Sequence, residues 1–251
     1  MDILKYIDRL RDFVTPERYD LLCRKLGLRT SYIAVVLENV HHEQNISAVM
    51  RTCECLGIQN LYIIENSNRH SEHPTISRGA DKWLTIHRFN QHDDNTPACI
   101  EHLRSKGYRI VATTPHDDAS LLPPMPGFGA GFSLSERSDS LYHFDITQGP
   151  VAIFIGSERV GISRHVVDAA DDFITIPMVG FTESLNLSVT AAIVVAHLRR
   201  QLEQLPDDVR NSLPAKASLT TDERNDILVE WLLNSIRNAD LVAQRIKQEI
   251  G

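Results

Sequence analysis

Five short, mostly apolar runs constrain this chain more than any other feature. They are Ile33-Ala-Val-Val-Leu37, Leu61-Tyr-Ile-Ile64, Arg109-Ile-Val-Ala112, Val151-Ala-Ile-Phe-Ile155 and Phe173-Ile-Thr-Ile176. Apolar runs without alternation suit strands covered on both faces, as in parallel sheets. Helical patterns lie between them. Ile46, Val49, Met50 and Cys53 share one face, and Thr96-Pro97 opens a helix that Gly107 closes. Leu187, Ala191, Val194, Val195, Leu198 and Leu202 mark a longer helix, and a further short strand is predicted at 84–89. Strand alternating with helix predicts an α/β domain with a mainly parallel sheet.

Both ends read differently. Ile3, Leu4, Ile7, Leu10 and Val14 recur at helical spacing. Thr15-Pro16 then predicts a second helix, with Thr as N-cap and Pro at the first helical position, stopped by Gly27. Near the other end, Thr220-x-x-Glu223 is a capping box. The helix it opens carries Ile227, Leu228, Trp231, Leu232 and Ile236 on one side. That face needs a partner: the main domain, the N-terminal helices or another subunit. The predicted organisation is a helical extension over 1–30, a main domain over 31–204, and a linker with a C-terminal helical extension over 205–251. Residues 115–149 break the rhythm. Gly127-Phe-Gly129-Ala-Gly131 there neither follows a strand nor matches G-x-G-x-x-G, so it reads as loop.

Composition excludes some classes. No stretch approaches the ~20 apolar residues of a membrane span, and the N-terminus lacks the pattern of a secretory signal. Cys23, Cys53, Cys55 and Cys99 show no zinc or redox spacing and read as mostly buried, reduced thiols. A cytoplasmic, metal-free protein is expected. The net charge of −7 runs against nucleic-acid binding. Residues 1–30, however, hold seven basic and five acidic residues, a net +2 against −9 for the remainder. That segment is either a solvated amphipathic face or an RNA-gripping extension.

Three patches carry chemistry. In Asn45-Ile-Ser-Ala-Val-Met-Arg51, Asn45 stands where a helix N-cap is expected. Arg51 falls inside an otherwise apolar helix, where a buried guanidinium needs a carboxylate or an anion site. Gly156-Ser157-Glu158-Arg159-Val160-Gly161-Ile162 follows a strand, at the end where open α/β sheets bind ligands. Its Gly156 lets backbone approach a ligand, and Glu158 offers a carboxylate to Arg51 or to a substrate donor. Ile176-Pro177-Met178 and then Glu183-Ser184-Leu185-Asn186-Leu187-Ser188-Val189 lead from a strand into a helix, with Ser184 or Asn186 as its cap.

Taken in order, N-x-x-x-x-x-R, G-S-E-x-x-G-I and I-P-M with S-L-N-x-S-V resemble the three-motif signature of SpoU/TrmH-type SPOUT RNA 2′-O-ribose methyltransferases. The resemblance spans about residues 31–203, and the helical ends resemble those of the branch that modifies the D-loop guanosine of tRNA at position 18. It implies a trefoil-knotted α/β domain, a homodimer, S-adenosyl-L-methionine (AdoMet) as methyl donor and tRNA as substrate, with no membrane association. Ribosomal RNA as substrate and a catalytically silent RNA-binding protein are the alternatives. Carried over motif by motif, Asn45, Arg51, Glu158, Ser184 and Asn186 are catalytic, and Thr113, Gly156, Ile176 and Leu185 contact AdoMet.

Overall fold

The computed structural model describes residues 2–68, 79–114, 138–215 and 217–250. They divide into two compact units, Tyr32–Ala215 and the combined ends Met1–Ser31 with Lys216–Gly251.

In the larger unit the strands are β1 (Ile33–Glu38), β2 (Asn60–Ile64), β3 (Thr85–Phe89), β4 (Arg109–Thr113), β5 (Ser138–Ser140), β6 (Val151–Ile155) and β7 (Asp172–Thr175). They form one sheet in the order β3-β2-β1-β6-β4-β7-β5, and every pair is parallel. β1 lies between β2 and β6 and is buried along its whole length. It is in register with β6 from Ile33 opposite Val151 to Leu37 opposite Ile155. This burial on both faces is what the apolar runs demanded.

Helices cover the two faces. α3 (Glu43–Cys55) packs against α6 (Leu187–Gln204), which the short α7 (Asp207–Asn211) follows, and α4 (Thr96–Ser105) packs against α5 (Arg164–Ala169) and the sheet. Phe154, Phe173, Tyr62, Leu103 and Val166 form the core beneath α4 and α5. Burying one such side chain contributes roughly 1.5–3 kcal/mol. At the β3 edge, Tyr62 stacks on His87 with centroids 4.3 Å apart. Burial, helped by His102 and Lys106, pushes the His87 imidazole down to about 4, so it is neutral at physiological pH. Of the stretch 115–149, β5 and a 3₁₀ turn at Ile146–Gln148 are described. The glycines at 127, 129 and 131 lie outside the described residues.

The smaller unit contains α1 (Ile3–Arg11), α2 (Pro16–Leu26), α8 (Thr221–Ser235) and α9 (Ala239–Ile250). Thr15 Oγ1 accepts from Arg18 N at 3.2 Å. The Thr220–Glu223 capping box is closed in both directions, at 2.7 and 3.3 Å. The apolar face of α8 finds its partners in α1 and α2, with Trp231 buried. Arg29 lies over the Trp231 ring at 5.0 Å and is itself buried. It is therefore not part of an RNA-facing surface, whereas Arg24 and Lys25 are exposed. Cys53 and Cys99 are buried, Cys23 is partly covered and Cys55 is exposed, all four as free thiols. Among the described residues no helix is long and apolar enough to cross a membrane, and no cluster of His, Cys, Asp or Glu is arranged to hold a metal.

Candidate active site at the carboxyl ends of the strands

β6, β4 and β7 are neighbours in the sheet. The loops at their carboxyl ends therefore converge, and a cavity of about 460 Å³ opens among them. Its walls are Thr113 and Thr114 after β4, the turn from Ile155 to Ile162 after β6, Ile174, Ile176 and Met178 around the end of β7, and Ser184 to Leu187 with Thr190 at the start of α6. Mixed apolar walls with a few convergent polar groups, at this size, suit a small organic ligand.

The β6 turn is a closed ring. Ser157 N donates to Gly161 O at 3.0 Å, and Gly161 N donates back to Ser157 O at 2.9 Å. Gly161 adopts φ 74°, where a side chain is strained. A Cβ on Gly156 would lie 2.1 Å from the carbonyl carbon of Gly161. Only glycine at 156 lets the ring close.

Glu158 projects from this ring and gathers the loop between β1 and α3. Its carboxylate accepts from His41 N at 2.9 Å, His42 N at 3.4 Å and Asn45 Nδ2 at 2.7 Å. Burial acts to raise its pKa. The His41 N–H, its own backbone, the Asn45 amide and the His42 N–H outweigh that and hold it below the usual carboxylate range. Asn45 Oδ1 in turn accepts from Asn186 Nδ2 at 3.4 Å. Asn186 caps α6, its Oδ1 accepting from Ser188 N at 2.9 Å. A polarised chain thus runs from the N-terminus of α6 through two amides to one anionic carboxylate.

Three expectations change here. Asn45 does not cap α3. The helix starts two residues earlier, at Glu43, so Asn45 stands in its first turn with its side chain turned to Glu158. Arg51 is not buried. The inward stripe of α3 is Ile46, Val49, Met50 and Cys53, and Arg51 points to solvent. Glu158 is engaged by His41, His42 and Asn45 rather than by Arg51, which has no ion pair or hydrogen bond among the described residues.

Thr113, Gly156, Glu158, Ile176, Ser184, Leu185 and Asn186 all line the cavity, whereas Asn45 stands behind Glu158 and Arg51 lies outside the lining. Sequence reasoning missed the backbone grip on His41 and His42, Arg159 at the cavity wall and the buried Glu38. A charged residue closing an apolar strand, as in Val35-Val36-Leu37-Glu38, was the available signal for the last.

The cavity fits AdoMet in size and in the character of its walls. Gly156 gives backbone access on one side. The neighbouring Glu158 and Arg159 offer opposite charges to a ligand that carries both.

Known proteins resemble this chain over the region that holds the cavity. The model of the SpoU rRNA Methylase family matches residues 32–196, which include every strand of the sheet. A tRNA (guanosine(18)-2′-O)-methyltransferase of Borreliella burgdorferi is 34% identical over 239 residues, covering 93% of this chain and 99% of that protein. The crystal structure of the A. aeolicus TrmH/SpoU tRNA modifying enzyme superposes with a TM-score of 0.67 at 28% identity, covering 88% of this chain and 98% of that one. The SpoU methyltransferase AviRb from Streptomyces viridochromogenes, in complex with the cofactor AdoMet, shares the fold at a TM-score of 0.54 and 21% identity, over 73% and 62% of the two chains.

Proposed function

The chain belongs to the SpoU rRNA methylase family, and on that premise we propose that it transfers the methyl group of AdoMet to a ribose 2′-hydroxyl of tRNA, at guanosine 18. One observation carries this reading: the loops after β4, β6 and β7 form a single cavity, and two of its lining residues, Asn186 and Glu158, are linked through Asn45. The near full-length relative named for guanosine 18 of tRNA favours that substrate over ribosomal RNA.

Bound in the cavity, AdoMet would supply a methyl group made electrophilic by its sulfonium, the C–S bond breaking to leave a neutral thioether. Thr113, Gly156, Ile176 and Leu185 would hold it, mainly through backbone groups freed at the strand ends. Glu158, anionic at neutral pH, fixes Asn45. Asn45, Asn186 and Ser184 orient the ribose so that its 2′-oxygen faces the donor, which is the entropic part of catalysis. A guanidinium is effectively always protonated, so Arg51 is not the base. It clamps the adjacent phosphate and steadies the developing alkoxide, and the proton leaves through that phosphate or water.

Arg51 lies outside the cavity of its own chain, exposed and unpaired among the described residues. A homodimer in which one copy presents Arg51 to the cavity of the other accounts for this. Mixing Arg51→Ala protomers with Asn186→Ala protomers then restores part of the activity that each has lost. We further assign the protein to the cytoplasm, without a metal. The domain 31–204 carries the trefoil knot, and the helical ends serve RNA binding through exposed residues such as Arg24.

Incubation of the protein with labelled AdoMet and unmodified tRNA transcripts, followed by nucleoside mapping, tests the proposal. The expected product is 2′-O-methylguanosine at position 18. Label in ribosomal RNA alone would transfer the activity to that substrate. AdoMet binding without transfer to any RNA would leave an RNA-binding protein.

A further inference from the structure

Glu38 ends β1 and is only 2% exposed. A carboxylate this deep is costly unless both oxygens are satisfied. Oε1 accepts from Thr96 Oγ1 at 2.7 Å and Oε2 from Ser163 N at 2.8 Å. Thr96 Oγ1 itself accepts from Asn66 Nδ2 at 3.1 Å. Glu38 is thus locked from behind by α4 and the β2 loop, and its free end grips the residue that follows the Gly156–Ile162 ring.

The ring is closed on itself by the Ser157–Gly161 pair, so it moves as one piece. Its entry is fixed by β6 in the sheet. Its exit is Ser163, which Glu38 holds by the backbone N–H. The exit bond therefore sets the tilt of the ring, and with it the cavity wall and the reach of Glu158 to His41, His42 and Asn45. The two carboxylates work in opposite directions. Glu38, just before the β1–α3 loop, holds the β6 ring, while Glu158, on that ring, holds the β1–α3 loop.

We infer that Glu38 is a positioning residue for methyl transfer: its carboxylate, acting through Ser163 N, sets the ring that forms the donor-binding wall and carries Glu158. This rests on the methyltransferase reading above.

The test compares Glu38→Gln, which keeps an acceptor for Ser163 N, with Glu38→Met, which fills similar space and offers none. Calorimetric titration with AdoMet, steady-state kinetics and amide hydrogen exchange are measured on each full-length variant. Loss of a satisfied buried N–H predicts roughly tenfold weaker AdoMet binding in Glu38→Met, with KM for AdoMet raised to match. Exchange rises in the segments 156–163 and 41–45, and Glu38→Gln stays within about twofold of wild type on all three readouts. A merely structural role would lower the melting temperature and the active fraction but leave the AdoMet affinity of folded protein unchanged, and that result would overturn the inference. Equal weakening in Glu38→Gln would overturn it too. Should Glu38→Met fail to fold, Thr96→Val, which frees one carboxylate oxygen, carries the test. A several-fold rise in KM for AdoMet supports the inference, and none contradicts it. If wild type binds no AdoMet, the methyltransferase reading fails, and exchange at 156–163 alone decides whether Glu38 holds the ring.

Discussion

The terminal helical unit and the carboxyl rim of the sheet use their charged side chains in opposite ways. In the helical unit several of them are tied internally. Arg9 pairs with Glu249, Arg18 donates to Ser235 and Arg29 covers Trp231. At the rim, Glu158 is engaged but its partners are backbone N–H groups and an amide, so its negative charge is not cancelled. The Arg159 side chain there has no ion pair or hydrogen bond among the described residues, and neither has that of Arg51, which stands on α3 outside the cavity. Charge balanced within the fold stabilises, and charge left over is available to a ligand. By this contrast, changes at the internally tied residues of the helical unit alter stability, and changes at the rim and at Arg51 alter chemistry.

The largest expected effect sharpens that contrast from the structural side. Trp231→Ala removes a fully packed ring and is expected to cost about 3–5 kcal/mol in chemical denaturation. The AdoMet affinity of the folded variant should stay at the wild-type value, and a lost affinity would break the division. Next comes Arg51→Ala. Turnover is expected to fall roughly 10²–10³-fold, as for removal of a transition-state donor, while the melting temperature holds. Arg51→Lys keeps the charge and loses the planar fork. Near-normal turnover in that variant would count against the clamp.

A smaller effect concerns the sheet edge. The folded-state pKa of His87 lies well below its ordinary 6.5, at about 4. The unfolded chain therefore binds a proton in that window and the folded chain does not. The contribution is intact above pH 6.5 and declines as pH falls towards 4, by roughly 1–3 kcal/mol given the partial exposure of the ring. His87→Phe should flatten the fall of melting temperature between pH 6.5 and 4, and an unchanged slope would refute the assignment. Thr220→Ala is the smallest change, at about 1 kcal/mol of stability with kcat unaltered.

Local features were legible in the sequence. The buried strand β1, the cap at Thr15 and the Thr220–Glu223 box all follow from residues within four positions of one another. The site was legible only as three motifs, because their assembly depends on contacts between distant residues. Asn45 looked like a cap, and its amide instead serves a carboxylate 113 residues away. The grip of Glu38 on Ser163 spans 125 residues. Arg51 was expected to be buried because its neighbours are apolar, yet one polar side of an amphipathic helix accommodates it.

Gly156 offers the most direct measurement, because a methyl group there cannot coexist with the closed ring. AdoMet titrated calorimetrically into wild type and Gly156→Ala should bind the first with one site per chain. Binding to the second should be lost while its circular dichroism and melting curve still report a folded sheet. Equal binding by both proteins would mean that the donor does not occupy the cavity formed by the ends of β4, β6 and β7.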